Sequence, residues 1–262
     1  MITLSVCAII NAWACLVAAV ALTGGALYEF FSLVKKKGIP IYSYTGIIIG
    51  MMIPFAAFFS FSPSREGELL FIVSALLLIV FMQILRNDNR DAVIGISTTL
   101  FGVLYVAWFF SYLLKIRNLM PDVPWAGPKL LAFILLVTKC GDMGALIVGS
   151  RWGKTPLFPK ISPHKTIEGA LGSLAGSGMA AFLGQTLIPA DFQFSVLHIV
   201  LMGLFFGCLG QIGDISESLI KRDCHVKDSG KMLPALGGAL DSIDSLLFSA
   251  PAFYFYIHAV IL

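Results

Sequence analysis

Residues 213–244 read GDISESLIKRDCHVKDSGKMLPALGGALDSID and crowd ionisable side chains between two long apolar runs. As a bare charge run, this would be a solvated loop between spans. The carboxylates at both apolar boundaries argue for more, because charge set against a bilayer is costly and marks function. On a helical approach, Asp214, Glu217 and Lys221 fall on one face at i, i+3 and i+7. Asp241 and Asp244 share a face for the same reason. Between them, Pro234-Ala-Leu-Gly-Gly does not continue a helix. Two carboxylate clusters flanking a basic, Gly-containing loop suit a magnesium-assisted phosphate site. Carboxylates hold hard cations, and Lys, Arg and backbone N–H groups hold phosphate oxygens.

A second constellation runs from Lys139 to Gly172. Lys139 and Asp142 are three residues apart within an apolar segment, where each compensates the other. That pairing serves structure or function equally well. Downstream comes Ile161-Ser-Pro-His-Lys-Thr-Ile-Glu-Gly. Ser162 or Thr166 suits a helix cap, with Pro163 early in the helix and Glu168 nearby. Lys165 and Thr166 at a helix N-terminus also suit an anion. Gly153-Lys154-Thr155 does not complete a Walker A loop. His164 reads as a solvated loop residue.

The elements that must position these groups follow from composition. The 262 residues are 58% hydrophobic and 13% charged, with net charge +3 and mean hydropathy +0.88. Soluble domains carry about 25% charged residues, so the chain reads as an integral membrane protein. Lipid requires each span to satisfy its own backbone, which means helices here. Segments of about 20 apolar residues fall at roughly 3–28, 44–61, 67–85, 92–114, 129–149, 168–189, 195–213 and 243–262. The expected fold is therefore an all-α polytopic bundle of about eight transmembrane helices. It divides into N-terminal helices over 1–130 and a C-terminal catalytic region over 131–262 with loops at 150–167 and 214–242. The five cysteines show no paired spacing, so neither a disulfide framework nor a zinc site is expected. Without a basic n-region, Met1 onward reads as a mature span.

Lys35–Lys37, Arg86, Arg90, Arg151, Lys154, Lys160, Lys165, Lys221, Arg222, Lys227 and Lys231 fall on one side of such a bundle. Arg65, Lys115, Arg117 and Lys129 fall on the other. This bias places both long loops in the cytoplasm. Glu29, near the end of the first apolar segment, is a candidate intramembrane carboxylate, with an interfacial residue close to Lys35–Lys37 as the favoured reading. Tyr105, Trp108, Phe109 and Phe110 read as lipid-facing or packing residues.

Ser218-x-x-Lys221-Arg222, Lys227-Asp228-Ser229-Gly230, Pro234, Gly237-Gly238, Asp241 and Asp244 resemble the signature of the phosphatidate cytidylyltransferases (CDP-diacylglycerol synthases). Ile161–Gly169 and Asp142–Gly153 resemble upstream motifs of the same family. The resemblance covers residues 137–248. It implies transfer of a cytidylyl group from CTP to phosphatidic acid, giving CDP-diacylglycerol and pyrophosphate for phospholipid biosynthesis. Asp214, Lys221, Asp241 and Asp244 are then the catalytic set. Asp214 and Asp241, with Asp244 at or beside them, would hold Mg2+, and a second cation is left open. Ser162, Lys165, Thr166, Ser218, Arg222, Lys227, Asp228, Gly237 and Gly238 would bind the substrates. The partners implied are CTP, phosphatidic acid and the bilayer of a bacterial cytoplasmic membrane. Nucleic acid is not expected, and a homodimer is left open. Two residues depart from the pattern: Leu236 stands where it has His, and Ser242 where it has Arg. Restoring both is expected to raise turnover. A CTP-dependent enzyme of another lipid, an isoprenoid-chain cytidylyltransferase or a lipid kinase, would use the same site, and the two departures leave an inactive paralogue open. A transporter would place charges near mid-membrane, whereas these cluster at one face.

This topology predicts that cysteines introduced at Ser162 and Ser229 are labelled only from the cytoplasmic side. Labelling of either from outside intact cells contradicts it.

Overall fold

The computed structural model describes residues 11–59, 65–86, 90–226, 230 and 238–261. Eight helical rods account for most of the described residues. They are α1 (Ala12–Lys36), α2 (Ser43–Phe58), α3 (Arg65–Leu85), α4 (Ala92–Arg117), α5 (Ala126–Trp152), α6 (Ile167–Leu183), α7 (Val196–Asp223) and α8 (Ala239–Ile261). Each falls on one of the eight apolar segments. By length and composition, α1, α4, α5, α7 and α8 suffice to cross a membrane, while α2, α6 and the Leu70–Leu85 part of α3 are shorter apolar helices. The chain is an all-α polytopic membrane bundle. One addition among the described residues is a short antiparallel hairpin, β1 (Pro156–Phe158) and β2 (Ser162–Thr166), paired Pro156 to Thr166 and Phe158 to Ser162. Pro163 thus lies in a strand, not early in a helix.

Helix starts follow local side-chain chemistry. Asn11 Oδ1 accepts from Trp13 N at 2.9 Å to cap α1. Thr166 Oγ1 accepts from Gly169 N at 3.1 Å to cap α6, and Ser195 Oγ accepts from His198 N at 3.2 Å to cap α7. Each satisfies a backbone donor the helix itself leaves open. Within α4 the chain widens to a π-helix over Val103–Trp108. Such bulges recur at functional sites.

The helices α5, α6, α7 and α8 pack in succession, and α8 also packs on α1 and α4. Both parts of the chain therefore share one core, in which Phe30, Phe31, Phe133, Phe206 and Phe253 are fully buried. Small residues let the backbones approach, since lipid supplies no hydrophobic drive between helices. A Cβ on Gly144 of α5 would lie 2.4 Å from Gly172 O of α6, and one on Gly213 of α7 would lie 2.2 Å from Asp244 O of α8.

Two boundaries differ from the sequence reading. Helix α7 continues to Asp223, so residues 214–223, expected within a loop, are helical. Apolarity falls there, but the helix is sustained by packing on α8 rather than by lipid. Helix α1 runs to Lys36, and Glu29 lies buried inside the bundle, 2% exposed. Its Oε2 accepts from Leu240 N at 2.9 Å, satisfying a donor at the start of α8. The basic segments do gather at one end. Lys37 Nζ meets Asp223 Oδ2 at 2.5 Å, and Arg222 Nε donates to Ile161 O at 3.0 Å.

Replacing Gly213 by Val is expected to destabilise the detergent-solubilised protein by about 1–3 kcal/mol, the usual range for overpacking. Gly210→Ala is the control, because a Cβ there meets Ser245 O at an ordinary 3.5 Å. Equal melting temperatures for the two variants would contradict the close α7–α8 contact.

Candidate active site

The last three turns of α7 and the first two of α8 meet around Gly213 and bring their carboxylates together. Asp214, Glu217 and Asp244 each offer one oxygen, and these lie within 4.8 Å of one another. Glu217 is 1% exposed and Asp244 7%. The α7 residues are presented by the i, i+3, i+7 spacing, and Lys221 completes that face. Its Nζ lies 3.2 Å from Glu217 Oε1 and 2.7 Å from Asp241 Oδ1. Asp241 Oδ2 also accepts from Gly238 N at 3.0 Å, capping α8 from within its first turn. Helix dipoles favour this arrangement: carboxylates sit at the start of α8, and Lys221 and Arg222 at the end of α7.

The hairpin carries a second cation to the site. Lys165 Nζ lies 2.6 Å from Asp214 Oδ1. The hairpin is held by Glu168 in the first turn of α6, which accepts from Lys154 N at 3.1 Å, Thr155 N at 3.2 Å and Thr155 Oγ1 at 3.0 Å. A third cation comes from α5. Lys139 Nζ donates to Asp142 Oδ2 at 3.0 Å, Ser245 Oγ at 3.1 Å and Ser242 O at 3.3 Å. Ser245 Oγ in turn donates to Asp142 Oδ2 at 3.1 Å.

The carboxylates of Asp142, Asp214, Glu217, Asp241 and Asp244 thus face the ammonium groups of Lys139, Lys165 and Lys221. With all ionised, the deficit equals one divalent cation. Three carboxylate oxygens without sulfur or imidazole suit a hard ion such as Mg2+ rather than zinc or copper.

The sequence reading names Asp214 and Asp241 as cation ligands with Asp244 at or beside them; the structure instead groups Asp214 and Asp244 with Glu217. Asp241 lies against Glu217 and engages Lys221 and Gly238. Thr166 engages Gly169 N as a cap. Ser162 in β2 and Ser218 in α7 are half-buried, Gly238 is buried and Arg222 is exposed. Lys227, Asp228 and Gly237 lie outside the described residues, as does Leu236.

Several site residues were not assigned from sequence. Glu217 had the signal, lying one turn from Asp214 on the same face. Glu29 stood out only as a carboxylate in an apolar segment, because its partner Leu240 N lies far along the chain, and Tyr105 carried no signal. Tyr105, on the π-helical turn of α4, is 4% exposed, and its hydroxyl has no hydrogen-bond partner among the described residues. It is close enough to Glu217, Asp244 and Asp214 to feel their charges.

Comparison with known proteins agrees with the geometry. Residues 1–260 match the model of the cytidylyltransferase family. A phosphatidate cytidylyltransferase of Bacillus subtilis (strain 168) is 33% identical over 236 residues, covering 88% of this chain and 84% of its own. One from Synechocystis sp. is 31% identical over 254 residues, with the same coverage of both chains. The uncharacterized protein YnbB of Escherichia coli (strain K12) is 34% identical over 235 residues, covering 88% of this chain and 75% of its own. With a family match over nearly its whole length and relatives above 30% identity across most of it, the chain belongs to the cytidylyltransferase family.

Proposed function

We propose that this chain transfers the cytidylyl group of CTP to phosphatidic acid, releasing pyrophosphate and forming CDP-diacylglycerol for phospholipid synthesis. The observation that carries the reading is the Asp214–Glu217–Asp244 group, set among lysines where two membrane helices meet. The names of the Bacillus and Synechocystis relatives support phosphatidic acid as the acceptor. We place the site at the cytoplasmic face of a bacterial cytoplasmic membrane, where CTP is present and acyl chains reach it from lipid. The gathering of basic segments at the same end supports this orientation.

In the reaction, an oxygen of the lipid phosphate forms a bond to the α-phosphorus of CTP. The bond from that phosphorus to the bridging oxygen breaks, and its electron pair leaves with pyrophosphate. The attacking oxygen is already anionic near neutral pH, so no protein base is needed. What the chain must supply is positioning and charge neutralisation. Asp214, Glu217 and Asp244 would hold Mg2+, which supplies positive charge against the leaving pyrophosphate. Lys221 and Asp241 fix the rotamer of Glu217 and its distance from α8. Lys165, carried on the hairpin, can exchange Asp214 for a phosphate oxygen. Arg222, exposed beside Ile161, would bind a further phosphate with Ser162, Thr166, Ser218 and Gly238 nearby, and Lys227, Asp228 and Gly237 are assigned to substrate by the motif alone.

The test is incorporation of labelled CTP into chloroform-extractable lipid by purified protein with phosphatidic acid and magnesium. Product analysis with an isoprenoid phosphate as acceptor separates the related lipid reading. Asp214→Asn, Glu217→Gln and Asp244→Asn should each lower turnover about 10²–10³-fold, as for loss of a group that stabilises transition-state charge. Asp241→Asn should cost less, about 10–100-fold, as for a partner that only orients a ligand. Wild-type turnover in Glu217→Gln at limiting magnesium, or no CTP use by the wild type, contradicts the proposal.

A further inference from the structure

Lys139 is a charged residue within a membrane helix, where such groups persist only with partners and a task. Its half-buried ammonium donates to three oxygens from two helices: Asp142 Oδ2 of its own α5, and Ser242 O and Ser245 Oγ of α8. The α8 contacts bracket Asp244, which sits between Ser242 and Ser245 in the chain and in the carboxylate group. Ser242 is the position where the resembling motif has Arg. Ser242 has no side-chain charge, and its Oγ donates to Gly238 O at 3.0 Å within α8. The positive charge at this turn therefore arrives from a different helix.

We propose that Lys139 is a positioning residue for the reaction, a fixed monovalent cation that replaces the charge absent at position 242. It neutralises Asp142 and clamps the turn that aims Asp244 at the phosphate-handling site. The inference rests on the cytidylyl-transfer reading. It also changes the expectation for residue 242. Arg introduced there beside Lys139 would set two cations on one turn, so Ser242→Arg alone lowers turnover instead of raising it.

The experiment compares labelled CTP incorporation by wild type, Lys139→Met, Ser242→Arg and the double variant, all in detergent with phosphatidic acid and magnesium. Lys139→Met should lose about 10–100-fold in turnover, the range for groups that orient a metal ligand. The double variant should recover much of that loss, because the guanidinium can enter the space the lysine leaves. Ammonium or methylammonium ions should raise the turnover of Lys139→Ala and leave the wild type unchanged, which a purely structural role would not produce. Lys139→Gln, polar but uncharged, serves where the Met variant does not fold. Wild-type activity in Lys139→Met or Lys139→Gln overturns the proposal. So does a folded double variant no better than Lys139→Met together with no response of Lys139→Ala to either amine. A wild type without CTP turnover would instead overturn the proposed function.

Discussion

Carboxylates gathered between membrane helices, with Glu217 and Asp244 buried, are the constraint on which the rest of this structure depends. Taking one such group out of water costs several kcal/mol unless partners compensate. Here the group formed by Asp214, Glu217 and Asp244 is joined by Asp142 and Asp241, and ammonium groups arrive from α5, from the hairpin and from α7. Each lysine comes from a separate element, so the carboxylates can be stabilised only when α5, β2, α7 and α8 are assembled. On the proposed reading, a divalent cation would balance this group, so that assembly of the bundle would also prepare it for a phosphate-bearing substrate.

The same constraint explains the glycines and the reach of α1. Carboxylates on two helices come within a few ångströms only if the backbones nearly touch, and Gly213 permits that against Asp244 O. The first turn of α8 must then be held in register. Glu29 does this from the opposite part of the chain through Leu240 N, while Asp241 binds Gly238 N from within. The start of α8 thus depends on a residue of α1, so α1 is part of the frame that supports the candidate site.

Much of this was legible in the sequence. Eight apolar segments gave eight helices because lipid leaves the backbone no other option. The i, i+3 spacing put Asp214 and Glu217 on one face, and the two motifs pointed to the family that the relatives share. Three features were not legible, for physical reasons. Helix α7 outlasts its apolar run because its last turns pack on protein. Glu29 is buried because its partner is a backbone amide more than two hundred residues away, which no local pattern encodes. Lys139 was visible as an ion-pair partner of Asp142, but its hold on Ser242 and Ser245 depends on how α5 meets α8.

The central claim is that Asp214, Glu217 and Asp244 together form the cation site. Binding of Mn2+ as a magnesium substitute, followed by electron paramagnetic resonance on the purified protein without nucleotide, tests it most directly. The account predicts a bound ion in the wild type and in Asp241→Asn that is lost or much weakened in Glu217→Gln. Full binding in Glu217→Gln, with loss in Asp241→Asn, would contradict it.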